Sequence, residues 1–183
     1  SCHLLTLDDG AQILLDCGLY EGSDDDMASF NREWLFDPTK LHAVVLSHAH
    51  IDHSGRLPKL LRDGFKGRIY STPATRDLCA LMLMDSAWIQ VKDAEYEHRK
   101  TGKKVEPLYE AAHARKTMEL FTSFPYEQWV PIHEDVDLMF RDTGHILGSA
   151  SVTLRIRRQG LKDQYFGFTG DIGRPDRPIL RDP

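Results

Sequence analysis

The 183-residue sequence lacks several features that would assign it to a class directly. No apolar run approaches the roughly 18 residues of a membrane-spanning helix, and no signal peptide is present, so we expect no membrane association and a cytoplasmic location. The three cysteines, Cys2, Cys17 and Cys79, form no C-x-x-C pair and are expected to be free thiols in a reducing compartment. The net charge of −5 does not favour nucleic-acid binding through bulk charge, although it leaves a local basic groove open.

Sequence motifs of other catalytic classes are also absent. There is no Walker-type phosphate loop and no G-x-S-x-G elbow, so hydrolysis by a nucleophilic serine is unsupported. No internal repeat, low-complexity tract or flexible linker divides the chain. Its composition, 41% apolar and 28% charged, is that of an ordinary globular protein, and we expect a single unit over 1–183 with its own core.

The sequence does contain a cluster of metal-binding residue types directly after the apolar run 43–46. The cluster consists of His48, His50, Asp52 and His53. Imidazole nitrogen and carboxylate oxygen are zinc ligands, and a catalytic zinc keeps one position open for water. His48 and His50 are two residues apart, so in a loop that follows a strand both rings can converge on one ion. Asp52 and His53 are adjacent and point differently, which suits a second ion; the alternative is a chance cluster in a polar loop.

Three more polar side chains stand where predicted strands end. Asp16 follows such a strand, and we expect it to orient the histidine loop by hydrogen bonding to its backbone or to a ligand histidine. The alternatives are that Asp16 is itself a metal ligand or an ordinary aspartate at a strand end. His145 is flanked by glycines, which let the backbone turn tightly and place the ring in a site. Asp171 lies between two glycines at another strand end, as a bridging metal carboxylate would. His145 or Asp171 alone would be a weak signal.

Hydrophobic periodicity predicts an α/β chain. Strands are predicted over 2–7, 11–15, 41–47, 67–71, 136–141, 152–156 and 165–169, and helices over 54–62, 74–100 and 109–121. The apolar face of the long helix is predicted to consist of Leu78, Leu81, Met82, Trp88 and Ile89. The acidic stretch 21–26 is expected to be a solvated loop.

In combination, these motifs resemble the first four motifs of the metallo-β-lactamase fold, in the same order and at the same strand ends. The motifs are Asp16, the loop His48-x-His50-x-Asp52-His53, His145 and Asp171. The segments 144–150 and 168–180 differ from those of small-molecule hydrolases in this superfamily. They are similar to those of the β-CASP branch of RNA-processing nucleases, as are 1–5 and 107–109. The resemblance covers essentially the whole chain.

The resemblance implies an αββα sandwich, of which this chain would be the N-terminal part, without the β-CASP cap and the C-terminal strands. It implies two Zn²⁺ ions, one bound by His48, His50 and His145, the other by Asp52 and His53, with Asp171 bridging them. Asp52 and His53 are the expected catalytic residues, and Asp52 is suited to orient the attacking water. The last zinc histidine and the leaving-group histidine of that branch have no counterpart here. We therefore expect an incomplete second site and weak or no activity of this chain alone.

The function implied by the resemblance is hydrolysis of RNA phosphodiester bonds during RNA processing, either endonucleolytic or 5′–3′ exonucleolytic, with RNA as the partner of the longer protein. One alternative is a small-molecule hydrolase such as a thioesterase or lactonase. Another is a non-catalytic scaffold subunit, which is disfavoured because all six expected ligands are present. Histidine and aspartate ligands also suit manganese or iron. Sheet edges left by missing strands would allow a homodimer.

Overall fold

Two β-sheets pack face to face in the computed structural model, which describes residues 1–20, 22 and 25–183. The strands are β1 His3–Thr6, β2 Gln12–Leu15, β3 Leu41–Val45, β4 Arg68–Ser71, β5 Phe121–Ser123, β6 Val130–His133, β7 Val136–Asp142, β8 Ala150–Ile156 and β9 Gln164–Phe168. The first sheet has the order β1-β2-β3-β4-β5 and the second the order β6-β7-β8-β9. Ile13, Leu15 and Val45 of the first sheet share a core with β7 and β8 of the second.

The helices cover the other face of the first sheet. They are α1 Asp25–Arg32, α2 Ile51–Ser54, α3 Leu57–Arg62, α4 Pro73–Thr101 and α5 Ala111–Thr117, with 3₁₀ turns at Pro38–Lys40 and Met118–Leu120. Val44 and Ile69 form a second core with residues of α3, α4 and α5. The described chain therefore has a helix layer and two sheet layers. Its longest helix, α4, lacks the apolar length needed to cross a bilayer, as do the other helices described.

The strand directions determine where the loops meet. β2, β3, β4 and β5 run parallel, and β1 is antiparallel to β2. All neighbours in the second sheet are antiparallel. Because parallel strands end at the same edge of a sheet, the residues that follow β2 and β3 lie side by side.

The long helix buries a different stripe from the one predicted. Cys79 and Leu83 are fully buried and Ala87 nearly so, and Leu78 and Met82 pack against the same core. Leu81, Trp88 and Ile89, by contrast, are 72%, 61% and 44% exposed, so the prediction was wrong for these three residues. Positions spaced four apart lie on one side of a helix, and here the side chains of Cys79, Leu83 and Ala87 face the core.

Several element boundaries also differ from the prediction. The predicted helix 109–121 is only α5 and a 3₁₀ turn, after which the chain becomes the edge strand β5. Two separate helices, α2 and α3, replace the predicted helix 54–62. Part of the acidic stretch 21–26 lies outside the described residues, but positions 25 and 26 begin α1 and do not form a loop.

We predict that Leu83→Ala lowers the free energy of unfolding by about 2–5 kcal/mol, because it leaves a cavity between α4 and the first sheet. Leu81→Ala is the matched control on the same helix, and we expect it to change that free energy by no more than about 0.5 kcal/mol. Urea unfolding followed by circular dichroism measures both. Equal losses would contradict the assigned buried face.

Candidate metal centre

The predicted metal-site residues gather at the edge where the parallel strands end. Asp16 follows β2, and the segment 46–53 follows β3. The second sheet joins this edge because the Ala150 N–H donates to the Ser47 carbonyl at 2.9 Å. That hydrogen bond holds the loop after β7, which carries His145, against the loop after β3.

Asp16 is completely buried and hydrogen-bonds to the histidine loop in three places. Its Oδ1 accepts from the Ser47 N–H at 2.8 Å, and its Oδ2 accepts from the Ser47 hydroxyl at 2.9 Å. The same Oδ2 lies 2.6 Å from His53 Nδ1. Its backbone has a φ of 59°, in the left-handed region that aspartate tolerates better than most residues. These hydrogen bonds are of the kind expected from the sequence, while the role of Asp16 at a metal ion stays a prediction.

The Asp16–Ser47 hydrogen bond sets the tautomer of His48. Ser47 Oγ lies 3.0 Å from His48 Nδ1. Because the Ser47 hydroxyl donates its proton to Asp16, its oxygen accepts a hydrogen bond from the His48 Nδ1–H. Burial and the neighbouring His53 and His50 rings lower the pKa of His48 to about 3. His48 is therefore neutral, with the lone pair of Nε2 directed into the site.

Asp16 orients His53 in the same way. The His53 Nδ1–H donates to Asp16, which leaves Nε2 3.6 Å from Asp52 Oδ2 and 3.4 Å from Asp171 Oδ1. Burial opposes protonation of His53, but the hydrogen bond to Asp16 and the negative charges of Asp16, Asp52 and Asp171 raise its pKa above the ordinary value. A nitrogen facing two carboxylates is a favourable place for a cation.

The first donor group contains three imidazoles and a carboxylate whose ligand atoms lie within 4.8 Å of one another: His48, His50, His145 and Asp171. His50 Nδ1 lies 3.1 Å from His48 Nε2 and 3.2 Å from His145 Nε2. Asp171 Oδ2 lies 3.4 Å from His145 Nε2 and 3.9 Å from His48 Nε2. Ligands of a tetrahedral zinc ion, each about 2.0–2.1 Å from the metal, lie roughly 3.4 Å apart. The donor set and its spacing therefore fit a single four-coordinate ion.

The Asp171 carboxylate connects this group to a second one. Its Oδ2 faces the histidines of the first group, whereas its Oδ1 lies 3.4 Å from His53 Nε2. Asp52 completes the second group, with its side chain 53% exposed. A carboxylate with one oxygen directed at each group is placed to bridge two ions, and the second group leaves more positions open than the first.

A glycine at position 18 allows the close packing that supports α2. A Cβ atom there would lie 1.6 Å from the Asp52 carbonyl oxygen, so any larger residue would force the two segments apart. Hydrogen bonds on both sides of Gly18 join the segments, from Cys17 N–H to the His53 carbonyl at 2.7 Å and from Leu19 N–H to the Ile51 carbonyl at 2.9 Å. The end of β2 therefore fixes the position of the helix that carries Asp52 and His53.

Two serines that sequence reasoning missed also position the site. Ser47 relays the hydrogen bond from Asp16 to His48. Ser149 is fully buried, and its Oγ accepts from the His145 N–H at 3.1 Å and from the Ile146 N–H at 3.2 Å, which shapes the His145 loop. The only signal in the sequence was that each serine lies next to, or a few residues from, a predicted ligand.

A separate group of Asp9, His133 and Asp135 also brings its potential ligand atoms within 4.8 Å of one another. Its histidine, however, has a different hydrogen-bonding pattern. His133 Nδ1 accepts from the Asp135 N–H at 3.2 Å, so the ring proton is on Nε2 and faces Asp9 Oδ2 at 3.2 Å. This arrangement ties the β1–β2 hairpin to the turn before β7 and directs no lone pair towards an ion.

The fold is that of the metallo-β-lactamase superfamily. The family model described as the metallo-beta-lactamase superfamily matches residues 1–183, and the chain belongs to that superfamily. Membership implies binding of a divalent metal ion, in agreement with the donor atoms at the sheet edge. The predicted fold class is therefore confirmed.

Two curated relatives indicate the branch. The chain is 37% identical over 184 residues to the transcription termination factor FttA of Methanosarcina mazei, covering 100% of this chain and 26% of that protein. It is 33% identical over 183 residues to the ribonuclease TTHA0252 of Thermus thermophilus, covering 100% of this chain and 37% of that protein. These relatives confirm the β-CASP branch predicted from the sequence. The chain spans only about a quarter to somewhat over a third of their length.

Solved structures agree on the fold. A mutant of the Cronobacter sakazakii metallo-beta-lactamase with a HARLDQ motif has a TM-score of 0.59 at 18% identity, covering 97% of this chain and 58% of that one. MEM-A1, a subclass B3 metallo-beta-lactamase from a soil metagenome library, has a TM-score of 0.51 at 20% identity, covering 90% of this chain and 54% of that one. At these identities the likeness shows the fold alone.

We predict that Asp16→Asn weakens metal binding by roughly 10–100-fold, because the amide NH₂ would face a hydrogen-bond donor and release Ser47 or His53. Competition with a chromophoric chelator measures the affinity, and circular dichroism checks that the variant is folded. Asp77→Asn is the control, since the Asp77 side chain is 74% exposed on α4. Unchanged affinity in a folded Asp16→Asn protein would contradict the role assigned to this carboxylate.

Proposed function

We propose that this chain forms the metal-binding part of a nuclease that hydrolyses phosphodiester bonds in RNA. The observation that carries the proposal is the Asp171 carboxylate, whose two oxygens face two separate donor groups. The two groups would hold a pair of metal ions, which would supply the charge stabilisation that hydrolysis of a phosphodiester needs. The relative TTHA0252, named a ribonuclease, supports the choice of RNA.

We assign His48, His50 and His145 to the first metal ion, Asp52 and His53 to the second, and Asp171 to both. Three imidazoles and one carboxylate at near-tetrahedral spacing favour Zn²⁺ at the first site. When bound, the metal supplies Lewis-acid stabilisation of the negative charge that develops on the phosphate. The second ion has fewer protein donors in this chain, so we expect it to bind more weakly.

The protein's own residues then have separate tasks. Asp52 is the exposed carboxylate of the site, and we propose that it orients the attacking water and accepts its proton. His53 is fixed by its hydrogen bond to buried Asp16, so its free nitrogen stays directed at Asp52 and Asp171. Residues 1–183 would serve as part of one metallo-β-lactamase domain in the longer protein.

The experiment is zinc-dependent hydrolysis of bis(p-nitrophenyl) phosphate, a small phosphodiester that needs no RNA-binding groove. We predict slow but measurable turnover that falls by more than roughly 100-fold in His50→Ala, since even residues behind the ligands cost 10–100-fold when removed. His98→Ala, on the exposed end of α4, is the matched control and should retain the wild-type rate.

Two results would contradict the proposal. Turnover of a thioester or a lactone without turnover of the diester would indicate the small-molecule hydrolase alternative. If the zinc-loaded chain hydrolyses none of these substrates and the longer protein does not cleave RNA, the non-catalytic scaffold is favoured.

A further inference from the structure

A cavity of about 270 Å³ opens beside the candidate metal ligand His145. It is lined by Gly144, His145, Ile172, Gly173, Arg174 and Arg177. One side of this cavity belongs to the first donor group, and the other side carries two guanidinium groups. No step in the function proposed above uses these two arginines.

Backbone contacts hold the arginine segment against the His145 loop. The Gly173 N–H donates to the Thr143 carbonyl at 2.8 Å. A Cβ atom at position 173 would lie 1.9 Å from the Gly144 carbonyl oxygen, so only glycine permits this approach. Arg174 follows Gly173 directly, so these contacts also hold the Arg174 backbone next to the His145 loop.

The charges in this cavity are unbalanced. Both Arg174 and Arg177 are exposed, and neither pairs with a carboxylate anywhere in the part of the chain that the structure describes. By contrast, Arg155 of β8 and Arg157, which follows that strand, both bond to the Asp137 carboxylate. Two exposed guanidinium groups without a carboxylate partner therefore lie beside the candidate metal centre, in a chain whose net charge is −5.

Guanidinium groups recognise phosphate well. The planar fork of arginine donates two parallel N–H bonds to phosphate oxygens and remains charged at every physiological pH. Proteins that bind single-stranded nucleic acid use such positive grooves to follow the phosphate backbone. Directly beside a phosphodiester-cleaving centre, the phosphate to be bound is that of a neighbouring nucleotide.

We propose that Arg174 and Arg177 form a phosphate-binding subsite for single-stranded RNA, holding a backbone phosphate adjacent to the one at the metal centre. The inference rests on the proposed nuclease function and adds the residues that position the substrate strand. It assigns the segment after Asp171 to RNA binding, whereas Asp171 itself belongs to the metal centre.

The test measures binding of a fluorescein-labelled eight-nucleotide oligouridine to the zinc-loaded chain by fluorescence anisotropy. We expect the double variant R174A/R177A to weaken binding at least about 10-fold and to reduce the dependence of affinity on salt, since two phosphate contacts are lost. The double variant R174K/R177K keeps the charge without the fork and should recover part of the affinity.

The matched control is R99A/K103A, which removes the same charge elsewhere. Arg99 lies in the last turn of the 29-residue helix α4 and Lys103 just beyond its end, whereas hydroxyls at the start of that helix donate to the Gly148 carbonyl near His145. The helix length places them roughly 40 Å from the site, so we expect their loss to change affinity by no more than about twofold.

Zinc content, measured on every variant, separates this inference from the proposed function. Two results would overturn the subsite and leave the metal centre intact. One is unchanged RNA affinity in zinc-loaded R174A/R177A, and the other is an equal loss of affinity in R174A/R177A and in the control R99A/K103A. Inorganic phosphate is also added to the complex of RNA with the wild-type chain, at the concentration of phosphate groups that the RNA itself supplies. If inorganic phosphate displaces the RNA, the cavity takes free phosphate, and the RNA assignment is overturned. Loss of affinity in R174A/R177A alone, with zinc retained, supports it.

Discussion

The buried carboxylate of Asp16 is the interaction on which the geometry of the site depends. A buried charge is costly unless its oxygens accept hydrogen bonds, and here the donors are the Ser47 backbone, the Ser47 hydroxyl and His53. These hydrogen bonds fix the positions of the loop after β3 and of α2, and they set the tautomers of His48 and His53. Stability and metal-site geometry therefore depend on the same hydrogen bonds, and a substitution at Asp16 would disturb both.

The two sheets contribute different halves of the donor set. The loop after β3 in the first sheet supplies His48 and His50, while the loops after β7 and β9 in the second sheet supply His145 and Asp171. Face-to-face packing brings His145 Nε2 to 3.2 Å from His50 Nδ1 across 95 residues of sequence. The same packing places the arginine segment beside His145. Metal binding and the proposed substrate binding would thus both depend on the contact between sheets.

The sequence allowed a cluster of candidate metal ligands to be predicted at one sheet edge, because their side-chain types are rare in combination and each stands at a strand end. It did not allow the buried face of α4 to be predicted, since Leu81 and Trp88 are apolar yet exposed. The edge strands β5 and β6 were missed because they are short and β6 contains Pro131, a residue tolerated in a sheet only at its edge. The orientation of the two Asp171 oxygens depends on how the sheets pack, which no local pattern specifies.

We propose that Asp171 joins two metal-binding groups, and the most direct test is the zinc stoichiometry of the wild-type chain beside Asp171→Ala. Calorimetric titration, with metal content checked by mass spectrometry, should detect a tighter and a weaker ion, about two per chain at saturation. We predict that Asp171→Ala loses the weaker ion and binds the tighter one with reduced affinity. Two equally tight ions in the variant, or no zinc in the wild-type chain, would contradict the account.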